Sequence, residues 1–249
     1  MGDAISVRKI GRLRCAVFDP PGIDPDQLDL VAIFCHGFGA PGDDLVPFGP
    51  HLASLLGPVS PAIRYYFPEA PLSLESVGMP GGRAWWMLDL QQLQLAAEGK
   101  LTRDQRDVVP DGLETARDVL AETVELILNE TGLSPDRLVL GGFSQGSMVA
   151  TEVALHGVAT PAVLLIYSGT LLCESRWREL ASKKPTLKVF QSHGRSDTIL
   201  PFMAAEALHS LFVDSGLEAE FLPFSGPHTI PAEALGRTSV ILAELCSSK

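Results

Sequence analysis

A serine between two glycines is the part of this sequence that most directly suggests chemistry. Residues 142–146 read Gly-Phe-Ser-Gln-Gly, which fits the pattern G-x-S-x-G, and they lie between a strand-like run at 138–140 and a helix-like segment. In a nucleophile elbow, a strained turn from a strand into a helix lifts the serine hydroxyl above the edge of a sheet. We therefore predict that Ser144 is a nucleophile, and the alternative is a glycine-rich turn without chemistry.

A histidine and an aspartate follow the serine in the order that such a nucleophile requires. The hydroxyl needs a base to take its proton and an acid to orient that base, and in this kind of fold the chain order is serine, acid, histidine. Asp197 ends a loop that leaves one predicted strand, and His228 follows a Gly-Pro pair after the last one. Loops at the carboxyl ends of strands are where such sheets bind ligands. We predict His228 as the base and Asp197 as the acid.

Three other titratable residues downstream of the serine fit these roles less well. His156 and His209 fall within predicted helices, where a packed or surface histidine is the simpler interpretation. Asp214 is the rival acid, but it precedes Ser-Gly at a predicted helix end, where turn residues are common.

The oxyanion formed during acyl transfer needs backbone N–H donors. One is expected from Gln145, because the residue after the nucleophile opens a helix whose dipole favours negative charge. The second is expected from Phe38, since residues 36–39 read His-Gly-Phe-Gly directly after a predicted strand. His36 precedes the serine, which is the wrong order for the base, so we predict that it bonds loop backbone.

Short apolar runs alternate with longer amphipathic segments, and these elements must position the residues above. Strands buried on both faces of a parallel sheet are apolar throughout, as several of the runs are. The predicted strands are 14–18, 30–35, 63–67, 138–142, 162–167, 187–192 and 219–224, and the predicted helices are 112–131, 145–156, 202–213 and 232–246. The alternation predicts an α/β fold with a mostly parallel central sheet flanked by helices on both faces.

The predicted helix 112–131 has an apolar stripe and signals at both ends. Asp111 is the predicted N-cap and Gly132 the predicted stop. The stripe, at a spacing of 3.6 residues, consists of Leu113, Ala116, Leu120, Val124, Ile127 and Leu128.

The stretch 68–110 interrupts this alternation, because it holds Pro, Gly and apolar patches without a confident strand. Loops this long in compact domains are usually lids or binding loops, so substrate contacts are expected here. Trp85, Trp86 and Met87 either line an acyl pocket or belong to the core beneath the loop. Leu72 begins an apolar region, 72–95, that would suit a long acyl chain.

Charge and composition exclude several classes of protein. Lys and Arg number 19 against 30 Asp and Glu, a net charge of −11 that disfavours nucleic acid as a partner. Apolar runs are too short for a transmembrane helix, which needs about 20 residues, and the N-terminus has no apolar signal-peptide region. Residues 1–6 fit a loose myristoylation pattern, but nothing polybasic supplies a second anchor, so no stable membrane anchor is expected.

The remaining composition favours a cytoplasmic chain without cofactors. The four cysteines form no CxxC pair, which suggests reduced thiols and the cytoplasm. HExxH and pairs of His or Cys at ligand spacing are absent, and no G-x-G-x-x-G opens a predicted helix after a strand, so no metal and no cofactor are expected. The length favours one domain, 1–249, with a lid or substrate-binding region at about 68–110.

Six motifs in order resemble the phospholipase/carboxylesterase family of α/β-hydrolases, the group that includes acyl-protein thioesterases and bacterial carboxylesterases. They are His-Gly-Phe-Gly at 36–39, Phe-Pro-Glu-Ala-Pro at 67–71, Arg-Ala-Trp-Trp at 83–86, Gly-Phe-Ser-Gln-Gly at 142–146, His-Gly-Arg-Ser-Asp at 193–197 and His-Thr-Ile-Pro at 228–231. The resemblance implies the α/β-hydrolase fold, a triad of Ser144, Asp197 and His228, and oxyanion donors at Phe38 and Gln145.

Three departures from the family pattern affect loops rather than the triad. Ser147 stands where the family usually has a second glycine, residues 40–42 intervene before the expected acidic residue, and Pro227 stands where glycine often precedes the histidine. These departures are expected to affect loop geometry and substrate choice, and the reaction is expected to be retained.

The predicted function is a serine hydrolase that cleaves carboxylic esters, with thioesters as a further class, through an acyl-enzyme on Ser144. The alternatives are a lysophospholipase or acyl-protein thioesterase acting on long acyl chains, and a non-catalytic binding module of the same fold. The expected partner is a small ester or acyl substrate. A monomer and a homodimer both remain open.

Overall fold

An eight-stranded sheet forms the framework of the computed structural model, which describes residues 5–24, 27–57, 62–88, 95, 100, 107–157 and 159–247. Its strands are β1 (Ile5–Ile10), β2 (Leu13–Phe18), β3 (Leu30–Cys35), β4 (Ile63–Pro68), β7 (Leu138–Phe143), β8 (Val163–Tyr167), β9 (Lys188–Gly194) and β10 (Glu218–Phe224). The strand order is β1-β2-β4-β3-β7-β8-β9-β10. The β1-β2 and β2-β4 pairs are antiparallel, and the other pairs are parallel. The predicted, mostly parallel sheet is confirmed.

Helices cover both faces of this sheet. They are α1 (Phe48–Leu56), α2 (Leu113–Thr131), α3 (Gln145–His156), α4 (Glu174–Ala181), α5 (Phe202–Asp214) and α6 (Ala232–Ser247). Side chains of α2, α3, α4 and α5 build the larger apolar core on one face, whereas α1 and α6 pack against the other. Of the helices within the described residues, none has the length and apolar character required to cross a bilayer.

Helix α2 shows how the sequence pattern becomes packing. All six residues of the predicted apolar stripe are buried, and Gly132 ends the helix in the left-handed conformation, as predicted. The prediction for its start was wrong. Gly112 is the N-cap, with φ of 88°, rather than Asp111. A Cβ at this position would lie 3.0 Å from Cβ of Trp86, so both the positive φ and the close packing favour glycine there.

Several short elements are absent from the sequence prediction. Strand β1 lies at the sheet edge with most of its residues exposed, so it lacks the apolar run of a buried strand. Helix α1 carries Pro50 in its first turn, where the N–H that proline lacks would have no partner within the helix. In the stretch 68–110, β5 (Leu72–Ser73) pairs with β6 (Arg83–Ala84), and most of 89–106 lies outside the described residues.

The parallel strands bring the predicted site residues to one edge of the sheet. Strands β3, β7, β9 and β10 run in the same direction, so their carboxyl ends lie side by side. The loops that follow them contain residues 36–39, Ser144, Asp197 and His228. Residues separated by up to 192 positions along the chain, from 36 to 228, therefore meet at this edge.

Candidate active site

Ser144 lies on a strained turn between β7 and α3. Its φ of 53° and ψ of −122° put a non-glycine residue at positive φ, which L-residues adopt at a cost. The backbone N–H of Ser144 donates to the carbonyl of Tyr167 at the end of β8, at 2.9 Å. This is the strand-to-helix turn that the motif predicts.

The two glycines of the motif are required by close backbone contacts. A Cβ at Gly142 would lie 2.5 Å from the carbonyl oxygen of Cys35, and a Cβ at Gly146 would overlap the same oxygen. Because these contacts are with backbone, no side-chain rotation could relieve them. The glycines therefore allow α3 to begin directly against the end of β3.

Ser147 departs from the family pattern but fits the elbow. Its hydroxyl donates to the carbonyl of Ser144 at 2.7 Å, and its side chain is fully buried. Gly169 leaves the space, since a Cβ at that position would overlap the Ser147 hydroxyl. The larger side chain thus adds a hydrogen bond to the first turn of α3 without displacing the turn.

Asp197 and His228 form a short hydrogen bond. Nδ1 of His228 lies 2.6 Å from Oδ2 of Asp197, and the carboxylate is inaccessible to solvent. The amides of Ile199 and Leu200 both donate to Oδ1, each at 2.9 Å. Burial alone would raise the pKa of Asp197, but hydrogen bonds from His193, His228 and the Leu200 amide outweigh it and hold the pKa well below its ordinary value. Asp197 is therefore an ionised carboxylate that accepts from Nδ1 of His228.

The imidazole of His228 lies beside the elbow. Its ring centroid is 4.8 Å from that of Phe143, the residue before Ser144. The next carbonyl along the loop, of Thr229, accepts a hydrogen bond from the hydroxyl of Ser168 at 3.0 Å. Among the described residues, no hydrogen bond joins Nε2 of His228 to another group, the hydroxyl of Ser144 included. Hydrogen bonds between a catalytic base and its nucleophile are often long without substrate and shorten when it binds.

The alternative residues lie in other networks. His156 ends α3 and pairs with the buried Glu152 at 3.1 Å. His209 lies on α5, where Nε2 bonds the carbonyl of Ala219 at 3.2 Å. Asp214, at the end of α5, pairs with Arg178 at 3.3 Å. None of these three contacts involves Ser144 or the pair formed by Asp197 and His228.

The predicted oxyanion donors lie on two adjacent backbone segments. A Cβ at Gly37 would be 3.3 Å from Cβ of Ser144, so the loop that carries Phe38 passes directly beside the elbow. Within the described part of the chain, the N–H groups of Phe38 and Gln145 donate to no carbonyl or side chain. Two unpaired donors beside a strained serine are what a tetrahedral oxyanion requires.

His36 fixes the same loop through hydrogen bonds to backbone, as predicted. Its Nδ1 bonds the carbonyl of Gly37 at 2.8 Å, and its Nε2 accepts from the amide of Ala70 at 3.0 Å. The second bond requires a lone pair on Nε2, so the imidazole is neutral with its proton on Nδ1. Burial lowers the pKa of His36, and the bond to Gly37 only partly offsets this.

The sequence did not reveal how residues 83–86 secure the loop. Arg83 donates to the carbonyls of Ala70 and Pro71, at 2.9 and 3.2 Å. The side chain of Gln145, buried beneath the elbow, accepts from the amide of Trp85 and donates to the carbonyl of Trp86, at 3.0 and 2.8 Å. Both residues lie in motifs that the sequence analysis singled out, but only the structure shows these contacts.

The predicted substrate-binding residues divide into two groups. Trp85 and Trp86 are 1% and 2% exposed, and the indole N–H of Trp85 donates to the carbonyl of His36 at 3.0 Å. Their burial favours the alternative that they form core beneath the loop, so substrate contact by either indole stays a prediction. Leu72 and Met87 are exposed at the surface, where they are accessible to an acyl group.

The buried His36 makes stability depend on pH. In the unfolded chain it takes a proton near pH 6.5, whereas its lowered pKa keeps it neutral to lower pH in the folded protein. Its contribution is therefore complete above pH 6.5 and decreases as the pH falls. We expect His36→Gln to lower the free energy of unfolding by about 1–3 kcal/mol at pH 7.5, with a smaller difference at pH 5.5, in urea titrations. His51→Gln, at an exposed position of α1, is the control. A difference that grows on acidification would contradict this account.

A sequence model of the phospholipase/carboxylesterase family matches residues 24–244. The chain belongs to this family. The predicted resemblance is confirmed, and with it the α/β-hydrolase fold and the activity of a serine hydrolase on carboxylic esters.

Individual members of the family are similar over most of their length. A protein of Oryza sativa subsp. japonica named "Probable carboxylesterase" is 25% identical over 209 residues, which cover 82% of this chain and 83% of that protein. Acyl-protein thioesterase 1 of Neurospora crassa is 23% identical over 190 residues, covering 73% and 74%. The crystal structure of esterase PE8 aligns with a TM-score of 0.71 at 26% identity, covering 88% of this chain and 93% of that one.

Proposed function

We propose that this enzyme cleaves carboxylic esters by transferring the acyl group to Ser144. The observation that carries the proposal is the pair formed by Asp197 and His228 beside a serine held at positive φ. A carboxylate on Nδ1 fixes the imidazole tautomer, so Nε2 is the nitrogen available to take a proton. Ester turnover by the wild type, measured beside Ser144→Ala, tests the assignment.

In the first half of the reaction, Nε2 of His228 takes the hydroxyl proton as the oxygen of Ser144 attacks the ester carbonyl. The carbonyl oxygen becomes an oxyanion, which the N–H groups of Phe38 and Gln145 bind. Each such donor is worth roughly 3–4 kcal/mol in the transition state. His228 then gives its proton to the leaving alcohol, and the acyl group remains as an ester on Ser144.

In the second half, water attacks the acyl-enzyme with His228 again acting as base. Asp197 stabilises the imidazolium formed in each half without taking a proton itself. The low pKa of Asp197 supports this role, because its carboxylate stays ionised throughout. The acid product leaves and the serine hydroxyl is restored, so the cycle needs no cofactor.

We also propose that the enzyme accepts long, apolar acyl groups. Met79 lies over the loop of Phe38, since a Cβ at Gly39 would be 2.7 Å from its terminal methyl group. Met79, Leu72 and Val77 belong to one segment and are all exposed, which gives an apolar surface beside the oxyanion donors. The relatives named acyl-protein thioesterase support a thioester as a further bond that this site could cleave.

We expect Met79→Ser to reduce the preference for long acyl chains. Burying one methylene contributes about 0.8 kcal/mol, so losing contact with two would lower kcat/KM for an octanoyl ester about tenfold relative to an acetyl ester. The measurement is kcat/KM across p-nitrophenyl esters of graded length. Leu126→Ser is the matched control, because Leu126 is equally exposed on α2. A wild type that prefers acetyl, or an unchanged ratio in Met79→Ser, would contradict this assignment.

We further propose that the enzyme acts in the cytoplasm as a monomer or homodimer on a small ester or acyl substrate. The cysteines support a reducing compartment, because Cys15, Cys35, Cys173 and Cys246 all lie within the described residues and no disulfide joins any two of them. Size-exclusion chromatography with light scattering distinguishes the two oligomeric states.

A further inference from the structure

A second histidine contacts the carboxylate that holds His228. His193 lies near the end of β9 and is fully buried. Its Nε2 is 2.9 Å from the carbonyl oxygen of Leu200 and 3.3 Å from Oδ2 of Asp197. A carbonyl and a carboxylate only accept hydrogen bonds, so the proton lies on Nε2 and is shared between them. Oδ2 therefore receives donors from two imidazoles.

The contact is part of a closed ring of hydrogen bonds. Leu200 accepts from His193 through its carbonyl and donates to Oδ1 of Asp197 through its amide. His193 thus reaches the carboxylate both directly and through the loop that wraps around it. Its other ring nitrogen, Nδ1, is buried and has no hydrogen-bond partner among the described residues. A neutral ring leaves only an unpaired acceptor there, whereas a charged ring would bury an unpaired N–H.

We propose that His193 is a positioning residue for the reaction, which orients the Asp197 carboxylate so that Oδ2 faces Nδ1 of His228. The inference rests on the proposed function, in which that pair activates Ser144. The bond from His193 also withdraws negative charge from Oδ2. Without it, the carboxylate would stabilise the charged form of His228 more strongly, and a larger fraction of the base would be protonated at a given pH.

Among the described residues, Arg195 and His209 adjoin this cluster through aromatic rings. Phe202 of α5 packs against the ring of His193, with 6.1 Å between centroids, and the guanidinium of Arg195 lies 4.9 Å from the centroid of Phe202. His209 stacks on Phe221 of β10, which in turn stacks on Phe202. Replacement of His193 leaves all of these in place, so a changed pH profile reports on the contact with Asp197.

Two substitutions separate hydrogen bonding from packing. In His193→Gln, the side-chain amide reaches the position of Nε2 and can still donate to Asp197. In His193→Asn, the amide reaches only the position of Nδ1, so both acceptors lose their donor. We expect the glutamine variant to stay within about threefold of the wild type and the asparagine variant to lose roughly 10- to 100-fold in kcat/KM. In the asparagine variant, the acid limb of the profile should also move upward by about half a pH unit or more.

The closing experiment combines pH profiles of ester hydrolysis with an NMR titration of the His228 ring, which needs no turnover. His209→Asn is the control, because His209 also bonds a carbonyl through Nε2 but lies away from Asp197. An asparagine variant with the wild-type rate and titration midpoint would overturn the proposal, as would equal losses in both variants with an unmoved acid limb. If the asparagine variant does not fold, the glutamine variant alone tests the proposal. Its rate and its titration midpoint should match the wild type, and a loss of rate or a shifted midpoint would overturn the proposal.

The same experiment separates this inference from the proposed function. Ester hydrolysis that survives Ser144→Ala would overturn the assignment of the nucleophile. The titration midpoint of His228 would still differ between wild type and His193→Asn, because the contact with Asp197 does not depend on which residue attacks the ester. An unchanged midpoint would instead reject the role of His193 and leave Ser144 as assigned.

Discussion

Ser144→Ala is expected to lower kcat for carboxylic esters by roughly 10⁴- to 10⁶-fold, which is about 5–8 kcal/mol in the barrier. The variant loses the attacking oxygen, and the remaining members of a triad cannot compensate because they act as a unit. The variant should still react faster than the uncatalysed ester does in water, because substrate binding and the oxyanion donors remain. Initial rates with a p-nitrophenyl ester at saturating concentration measure the effect.

The fold should survive this substitution, so the loss can be assigned to chemistry. Positive φ costs alanine about as much as it costs serine, so the turn gains no strain, and the backbone amide of residue 144 still donates to the carbonyl of Tyr167. Ser239→Ala, on α6, is the matched control and should keep the wild-type rate. A Ser144→Ala variant that folds and retains activity within tenfold of the wild type would mean that another residue is the nucleophile.

His228→Ala should lose activity to a comparable degree, because it removes the imidazole that takes the proton of Ser144 in the proposed reaction. The Asp197 carboxylate would still accept from Ile199, Leu200 and His193, so the loop should keep its conformation. The measured quantity is again kcat, with the thermal unfolding midpoint as the check on folding. The expected loss is on the order of 10⁴-fold or more.

His209→Ala is the matched control for this second variant. It removes an imidazole from α5 that bonds the carbonyl of Ala219 and stacks on Phe221. We expect a small loss of stability and a kcat close to that of the wild type. The reverse pattern, with His209→Ala inactive and His228→Ala active, would mean that His209 rather than His228 is the base.

The features that the sequence predicts well are those with a local signal. The elbow is recognisable from two glycines and a change from strand to helix within a few residues. Both glycines are required, because a Cβ at either position would overlap backbone atoms. Strand β3 is apolar throughout, and its predicted bounds are confirmed. The predicted bounds of α3, which begins directly after the elbow, are confirmed as well. Asp197 and His228 follow strand ends, which is enough to bring them to one edge of a parallel sheet.

The features that the sequence misses depend on contacts between distant residues. The side chain of Gln145 bonds backbone about 60 residues earlier in the chain, and no local pattern distinguishes it from an exposed helix residue. His193 was seen only as part of a motif, because its contact with Asp197 exists only once the loop folds back. For Trp85 the local pattern fits both pocket and core, and burial depends on how the whole loop packs.

The most direct test of the account is the site at which a fluorophosphonate probe reacts, identified by mass spectrometry of proteolytic peptides. Such probes react with serines whose hydroxyl is activated by a neighbouring base. The account predicts one adduct on Ser144 in the wild type, none at that peptide in Ser144→Ala, and much slower labelling in His228→Ala. An unlabelled wild type, or an adduct on another residue with Ser144 unmodified, would contradict it.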